Sequence, residues 1–203
     1  MMGGRHDEAR RAAARGTEGG GRAEAVVASP IGPLRLVAEE GAIVAVIMEE
    51  PGCEPGAPAR DGRDEPLLAR AREQLAAWFA GERTQFDLPL RPEGTPFQLA
   101  VWRELQAIPF GETRSYGQIA VRVGQPSASR AVGAANGRNP IAVIVPCHRV
   151  IGASGALVGY GGGMERKRWL LDHERAVLAR RGVEARRDPL REVPSQGKLP
   201  FHR

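Results

Sequence analysis

Cys147 and His148 are the adjoining residues of this 203-residue chain whose side chains could do covalent chemistry. They follow an apolar run, Ile141-Ala142-Val143-Ile144-Val145, closed by Pro146, and they precede Arg149. Only a thiolate is strongly nucleophilic, and a thiol with a pKa of about 8.5 needs a nearby base or positive charge to populate it at neutral pH. His148 and Arg149 could supply both. Free cysteine is also among the most buried residue types, so a structural role stays open beside three chemical ones: a cysteine hydrolase, a redox thiol, or a thiol that accepts a transferred group. The chain has no Cys-x-x-Cys, which weakens the redox reading. The second cysteine, Cys53, lies in a Pro/Gly-rich stretch, so no disulfide framework or cysteine-rich zinc site can be built. A reducing, cytoplasmic setting is expected, and no run approaches the roughly 20 apolar residues of a membrane span.

The apolar run before Cys147 reads as a buried strand ending at Pro146. Upstream, three short β-like segments, Ala25–Ala28, Leu34–Val37 and Ile43–Ile47, are separated by turn residues and suggest an antiparallel meander. Leu67, Leu68, Ala71, Leu75, Trp78 and Phe79 then recur at helical spacing, with Asp64 as cap, Pro66 in the first turn and Gly81 at the end. Thr95-Pro96-Phe97-Gln98 and Ser115-Tyr116-Gly117-Gln118 each carry the capping-box spacing that opens a helix. A turn at Gly124-Gln125-Pro126 leads to a further helix, started by Ser127 and running from Ala128 to about Asn136. Two short helices about a tight turn signal either a helix-turn-helix or an ordinary helical hairpin. Ala128, Ala131, Gly133, Ala134 and Ala135 leave the second helix without bulk, which costs stability through Gly133 unless its backbone must approach something closely.

These segments divide the chain into a tail (1–23), an N-terminal α/β domain (24–88), a linker (89–94), a second domain (95–181) and another tail (182–203). Both tails are expected to be disordered. Charge is split between the domains: residues 23–94 carry seven Lys/Arg against thirteen Asp/Glu, and residues 95–179 carry ten against five. An acidic first half and a basic second half suggest that the second meets a polyanion.

Residues Thr95 to Glu174 resemble the DNA-binding domain of the O6-alkylguanine-DNA alkyltransferases, and most closely their bacterial members. Pro146-Cys147-His148-Arg149-Val150 matches the central signature of that family. Ile108-Pro109-Phe110-Gly111-Glu112-Thr113 with Ser115-Tyr116, Arg130-Ala131-Val132-Gly133, Asn139-Pro140, Gly159 to Gly163 and Trp169 to Glu174 match in order around it. The resemblance implies an α+β protein: a small ribonuclease-H-like α/β domain followed by a mostly helical, winged-helix-like domain with a helix-turn-helix.

It also implies an activity and a cast of residues. Cys147 would accept the alkyl group from O6-alkylguanine in DNA, once and irreversibly, in a methylated-DNA–protein-cysteine methyltransferase reaction; O4-alkylthymine stays open as a second substrate. Glu174 would orient His148, and His148 would draw on the thiol through a water. Asn139 would fix the active-site turn, and Tyr116 would donate to the departing guanine. Tyr116, the Val150 carbonyl, Tyr160 and Gly161 would form the base pocket. Arg130 would fill the space left by a flipped nucleotide, with Ser127, Ala128, Ala131, Gly133 and Ala134 lying close in the minor groove; flipping is needed because the attacked carbon lies inside the duplex. The implied partner is double-stranded DNA with alkylated guanine, met by a monomer in solution and with self-association on DNA left open. No cofactor and no zinc are expected. Non-catalytic relatives that only flag lesions lack the acceptor cysteine, and an alkylation-sensing regulator would need a further domain. A cysteine hydrolase would differ by turning over more than once.

Overall fold

The computed structural model describes residues 22–50 and 64–182. The expected disorder of the tails and the surroundings of Cys53 lie outside those residues, apart from Arg22 and Ala23, which belong to the first strand instead of a tail, and Gly182.

Three strands, β1 (Arg22–Val27), β2 (Leu34–Glu39) and β3 (Ala42–Met48), form the expected antiparallel meander in the order β1-β2-β3. Val27 pairs with Leu34 and Leu34 with Met48, and the β2–β3 register shifts between Val37 and Ala38. One face of the sheet is covered by helix α1 (Glu65–Phe79), whose Leu68, Ala71, Leu75 and Trp78 are buried with Leu34, Leu36 and Ile43. Asp64 stands at the N-cap position but does not cap: its carboxylate accepts from Gly41 N at 2.8 Å, closing the β2–β3 turn onto the helix start. Gly81, with φ of +77°, ends the helix in the left-handed conformation that a glycine tolerates.

The free edge of β3 does not face solvent. Ile43 bridges Leu90 of the linker, and Val46 bridges Ile141, with Val46 N donating to Pro140 O at 2.9 Å and Ala142 N to Val46 O at 3.0 Å. The N-terminal domain thus hydrogen-bonds directly to the segment that leads to Cys147.

Helix α2 (Pro96–Gln106) and helix α3 (Tyr116–Arg122) both open with complete capping boxes, Thr95 with Gln98 and Ser115 with Gln118. After the Gly124 turn, helix α4 (Ser129–Gly137) packs on α2 and α3, and Trp102 Nε1 donates to Ala135 O at 2.9 Å. Residues Cys147–Arg149 form one 3₁₀ turn. Val150–Ile151 (β5) then pairs in parallel with Arg114–Ser115 (β4), and helix α5 (Met164–Arg180) closes the domain.

The apolar run before Cys147 also departs from expectation. Ile141–Val145 is buried as foreseen but is not a strand: beyond the single bridge at Ile141 it is a tight turn, with Val143 at φ +68°. Asn139 explains the difference. Its amide donates to Val145 O (2.8 Å) and Ile141 O (3.4 Å) while its oxygen accepts from Ile141 N (3.1 Å), so the side chain takes backbone partners that a neighbouring strand would otherwise supply.

Candidate active site

Cys147 sits where this turn meets the 3₁₀ turn, its own N–H donating to Val145 O at 2.8 Å and its carbonyl accepting from Asn136 Nδ2 at 3.3 Å. Cys147 is 6% exposed and lines a cleft together with Val46 to Met48 of β3, Asn136, Asn139, Pro140 and Ala142, and Tyr160 to Gly162. Burial pushes its pKa up, against the opposing influence of the Asn139 amide, the Tyr160 hydroxyl and the Lys167 ammonium. At rest, then, it is a protonated thiol that needs a base.

His148 is fully buried behind it. Its Nε2 lies 2.8 Å from Glu174 Oε1, and its Nδ1 is buried without a hydrogen-bond partner. Burial lowers the imidazole pKa, so neutral histidine is the resting form despite the pull of Glu174. Burial alone would raise the Glu174 carboxyl, but His148 and Arg149 outweigh it and hold it at about 2. An ionised Glu174 beside a neutral imidazole makes Nε2 the protonated nitrogen and leaves the lone pair on Nδ1 free to accept a proton.

Glu174 is shared. Arg149 donates to it through Nε at 3.0 and 3.1 Å and through Nη2 at 2.8 Å, while Arg149 Nη1 donates to Ile108 O at 2.6 Å; Gly111 N donates to Glu174 Oε2 at 2.8 Å. Arg149, which from sequence could have served the thiol directly, is engaged with the carboxylate. Behind the imidazole stands Trp78 of α1, edge-on at 6.3 Å between ring centroids.

The expected pocket residues divide. Tyr160 and Gly161 line the cleft with Cys147, and the buried Tyr160 hydroxyl influences the thiol electrostatically without meeting hydrogen-bond geometry to any group. Tyr116 and Val150 stand outside the cleft lining. Tyr116 donates to Val158 O at 3.1 Å, and the Val150 carbonyl accepts from Lys167 Nζ at 2.6 Å. Burial and the neighbouring Cys147 raise the Tyr116 pKa, which keeps its phenol a donor. Lys167, fully buried, also donates to Val158 O (3.0 Å) and Gly159 O (3.5 Å), and burial lowers its pKa to about 8.

Lys167 and Asn136 carry no functional reading in the sequence, and Arg149 carries one only as a positive charge beside the thiol, not as a partner of Glu174. One signal was available for Lys167: the buried face of α5 runs Lys167, Leu170, Glu174, Val177, so two charged residues occupy an apolar stripe at helical spacing. Along its outer face α4 exposes Arg130, Ala131 and Ala134, with Ser127 exposed just before it; Ala128 and Gly133 are partly buried. Gly133 faces the Tyr116 ring, where an added Cβ would sit at 3.7 Å.

Comparison with known proteins identifies the family. Residues 96–176 match the DNA-binding domain of 6-O-methylguanine DNA methyltransferase, and residues 23–92 match the ribonuclease-like domain of the same protein. The chain belongs to this family. It is 55% identical over 151 residues to the methylated-DNA–protein-cysteine methyltransferase of Mycolicibacterium paratuberculosis, covering 73% of this chain and 90% of that one. It is 50% identical over 150 residues to the namesake from Methanosarcina acetivorans, covering 74% and 96%. The crystal structure of Mycobacterium tuberculosis OGT in complex with DNA superposes with a TM-score of 0.66 at 51% identity, covering 75% of this chain and 92% of that one. As an alkyltransferase-family chain it has the expected architecture, an N-terminal α/β domain followed by a helical DNA-binding domain. Among the described residues no helix is long and apolar enough to cross a membrane.

Proposed function

We propose that this chain repairs DNA by transferring the alkyl group of O6-alkylguanine to Cys147, acting as a monomer and once per molecule. The observation that carries the reading is the buried group Cys147, His148 and Glu174, in which Nε2 of His148 meets Glu174, Nδ1 has no protein partner, and burial keeps the adjoining residue's thiol protonated. Neutral His148 takes the thiol proton through an intervening water, and Glu174 stabilises the imidazolium that forms. The thiolate attacks the alkyl carbon. The S–C bond forms as the C–O6 bond breaks, its electron pair passes to the base, and Tyr116 donates a proton or hydrogen bond to the leaving guanine. For this Tyr116 must exchange its bond to Val158 O for one to the base.

The product is a thioether with no good leaving group, so nothing in the step regenerates the thiol. Arg130, at the exposed face of α4, occupies the stack vacated by the flipped nucleotide, and Ser127, Ala131 and Ala134 let the helix lie close to the groove. Asn139 holds the turn that presents the thiol.

Incubation with a duplex carrying O6-methylguanine should add one methyl mass to the peptide containing Cys147, with turnover stopping at one, and Cys147→Ser should bind the duplex without repairing it. Restored guanine alongside an unmodified Cys147 would overturn the proposal.

A further inference from the structure

Beyond the β3 residues that line the cleft, the N-terminal domain also holds a side chain from the first turn of α5. Arg166, in the first turn of α5, donates from Nε to Ile31 O at 2.8 Å and from Nη2 to Glu49 O at 2.9 Å. The receptor for this guanidinium is built. Gly32 turns through φ of +99°, and a Cβ there would come within 3.1 Å of Arg166 Nη2, so a residue with a side chain would crowd the guanidinium. Ser29 Oγ donates to Gly32 O, and Glu49 N donates to Pro33 O at 2.8 Å, which ties the residue after β3 to the β1–β2 turn and so sets the two acceptor carbonyls side by side.

The residue after Arg166 is Lys167. Successive helical side chains diverge by about 100°, from 3.6 residues per turn, so one turn of α5 sends Arg166 into the N-terminal domain and Lys167 into the interior of its own domain. There Lys167 ties β5 to the loop before α5, through Val150 O and Val158 O. The same loop touches the N-terminal domain again at Gly162, which leaves no room for a Cβ beside Met48 Sδ.

We propose that Arg166 is a positioning residue for the reaction at Cys147: its grip on the Ile31 and Glu49 carbonyls sets the start of α5, and with it the seating of Lys167 and the 158–162 loop against the thiol. This deepens the alkyl-transfer reading and rests on it for the DNA substrate. The electrostatics run the same way, since the charge of Lys167 favours the Cys147 thiolate and that of Arg166 favours ionisation of the neighbouring Tyr160. On this account the ribonuclease-like domain is a structural component of the active site.

Two readouts on the full chain test it: single-turnover methyl transfer from an O6-methylguanine duplex, and the pH profile of iodoacetamide modification at the Cys147 peptide. Arg166→Met should lower the maximal transfer rate about tenfold, as expected for a small displacement of a reacting group. The half-saturating duplex concentration should stay within about twofold, because no DNA-facing residue is touched. The midpoint of the Cys147 profile should rise by roughly half a unit as the Lys167 charge moves away. Arg166→Lys, which can reach one carbonyl, should recover part of both losses, and Gly32→Ala should reproduce them from the N-terminal side. A parent-like rate and profile in Arg166→Met would overturn the proposal even if the variant melts earlier, because Arg166 would then only join the domains. Should Arg166→Met not fold, parent-like behaviour of Gly32→Ala overturns it equally. If the unsubstituted chain transfers no methyl group, the functional reading fails while the iodoacetamide profiles still decide the role of Arg166.

Discussion

Two regions flank Cys147 and are built on opposite principles. Behind it, His148, Arg149, Lys167 and Glu174 are buried, and each charged group is held by named partners. At the surface, α4 presents an exposed Arg130 among alanines. Burial makes the first region part of the fold as well as of the chemistry, so damage there cannot be confined to one of them. The second contributes little to the core along its outer face and is free to be shaped by what it meets. The difference separates residues whose loss destabilises the protein from residues whose loss is felt only on DNA.

Removing Glu174 is the most severe way to probe the buried side. Glu174→Ala leaves the Arg149 guanidinium buried without its carboxylate, which costs about 3–5 kcal/mol, and a drop in Tm of roughly 10 °C is expected for a chain of this size. It also frees His148 from its orienting partner, and transfer should fall by about a hundredfold or more. A variant that melts normally would break the claim that this region is structural and chemical at once.

Acid should act on the same region without mutation. The Glu174 pKa is depressed from 4.5 to about 2, so its stabilising contribution is complete above the unfolded value and is lost as pH falls from 4.5 towards 2. His148 has the same sign: its pKa is depressed from 6.5, and stability declines as pH drops below that value towards the folded one. With the neutral imidazole as the base, as proposed, transfer should persist somewhat below pH 6.5 before failing. Stopped-time transfer and chemical denaturation across pH 3–8 would test both, and a rate that falls away above pH 6.5 would contradict a neutral resting His148.

Arg130→Ala probes the exposed side. Stability should change by no more than about 0.5 kcal/mol, as for most surface substitutions. Transfer from duplex DNA should slow by roughly tenfold, the worth of about 1.4 kcal/mol, while transfer from a free O6-alkylguanine base is preserved. Equal losses on both substrates would remove the flipping role.

Legibility in the sequence follows the same division. Local signals are legible: the two capping boxes and the three strands of the meander stand where turn chemistry and periodicity place them, and so do the two helices about the Gly124 turn, except that the second begins at Ser129 after Ala128 and Ser127 does not start it. The buried charges are not, because Lys and Arg are ordinarily exposed and their partners here are distant carbonyls, Ile108 for Arg149 and Val150 for Lys167. Glu174 came from resemblance; its place on the buried stripe of α5 is visible only once that stripe is drawn. Ile141–Val145 misled because β-branched residues in a row fit a strand, whereas Asn139 satisfies the backbone of a turn. Asp64 misled because a β-turn amide competed for its carboxylate.

The finest test of the comparison enlarges one small side chain on the outer helix. Ala131 is exposed, so Ala131→Leu buries nothing new, and leucine is close to alanine in helix propensity; stability should move by less than about 0.5 kcal/mol. If the alanines serve close approach to a groove, the added bulk holds the helix off the DNA. Duplex affinity should then fall about fivefold, near 1 kcal/mol, with transfer from the free base unchanged. Unaltered duplex affinity would mean that the helix keeps its distance from the groove and that Arg130 alone reaches the DNA. A loss of stability would mean that this face is packed, and the division between the two regions would have to be redrawn at α4.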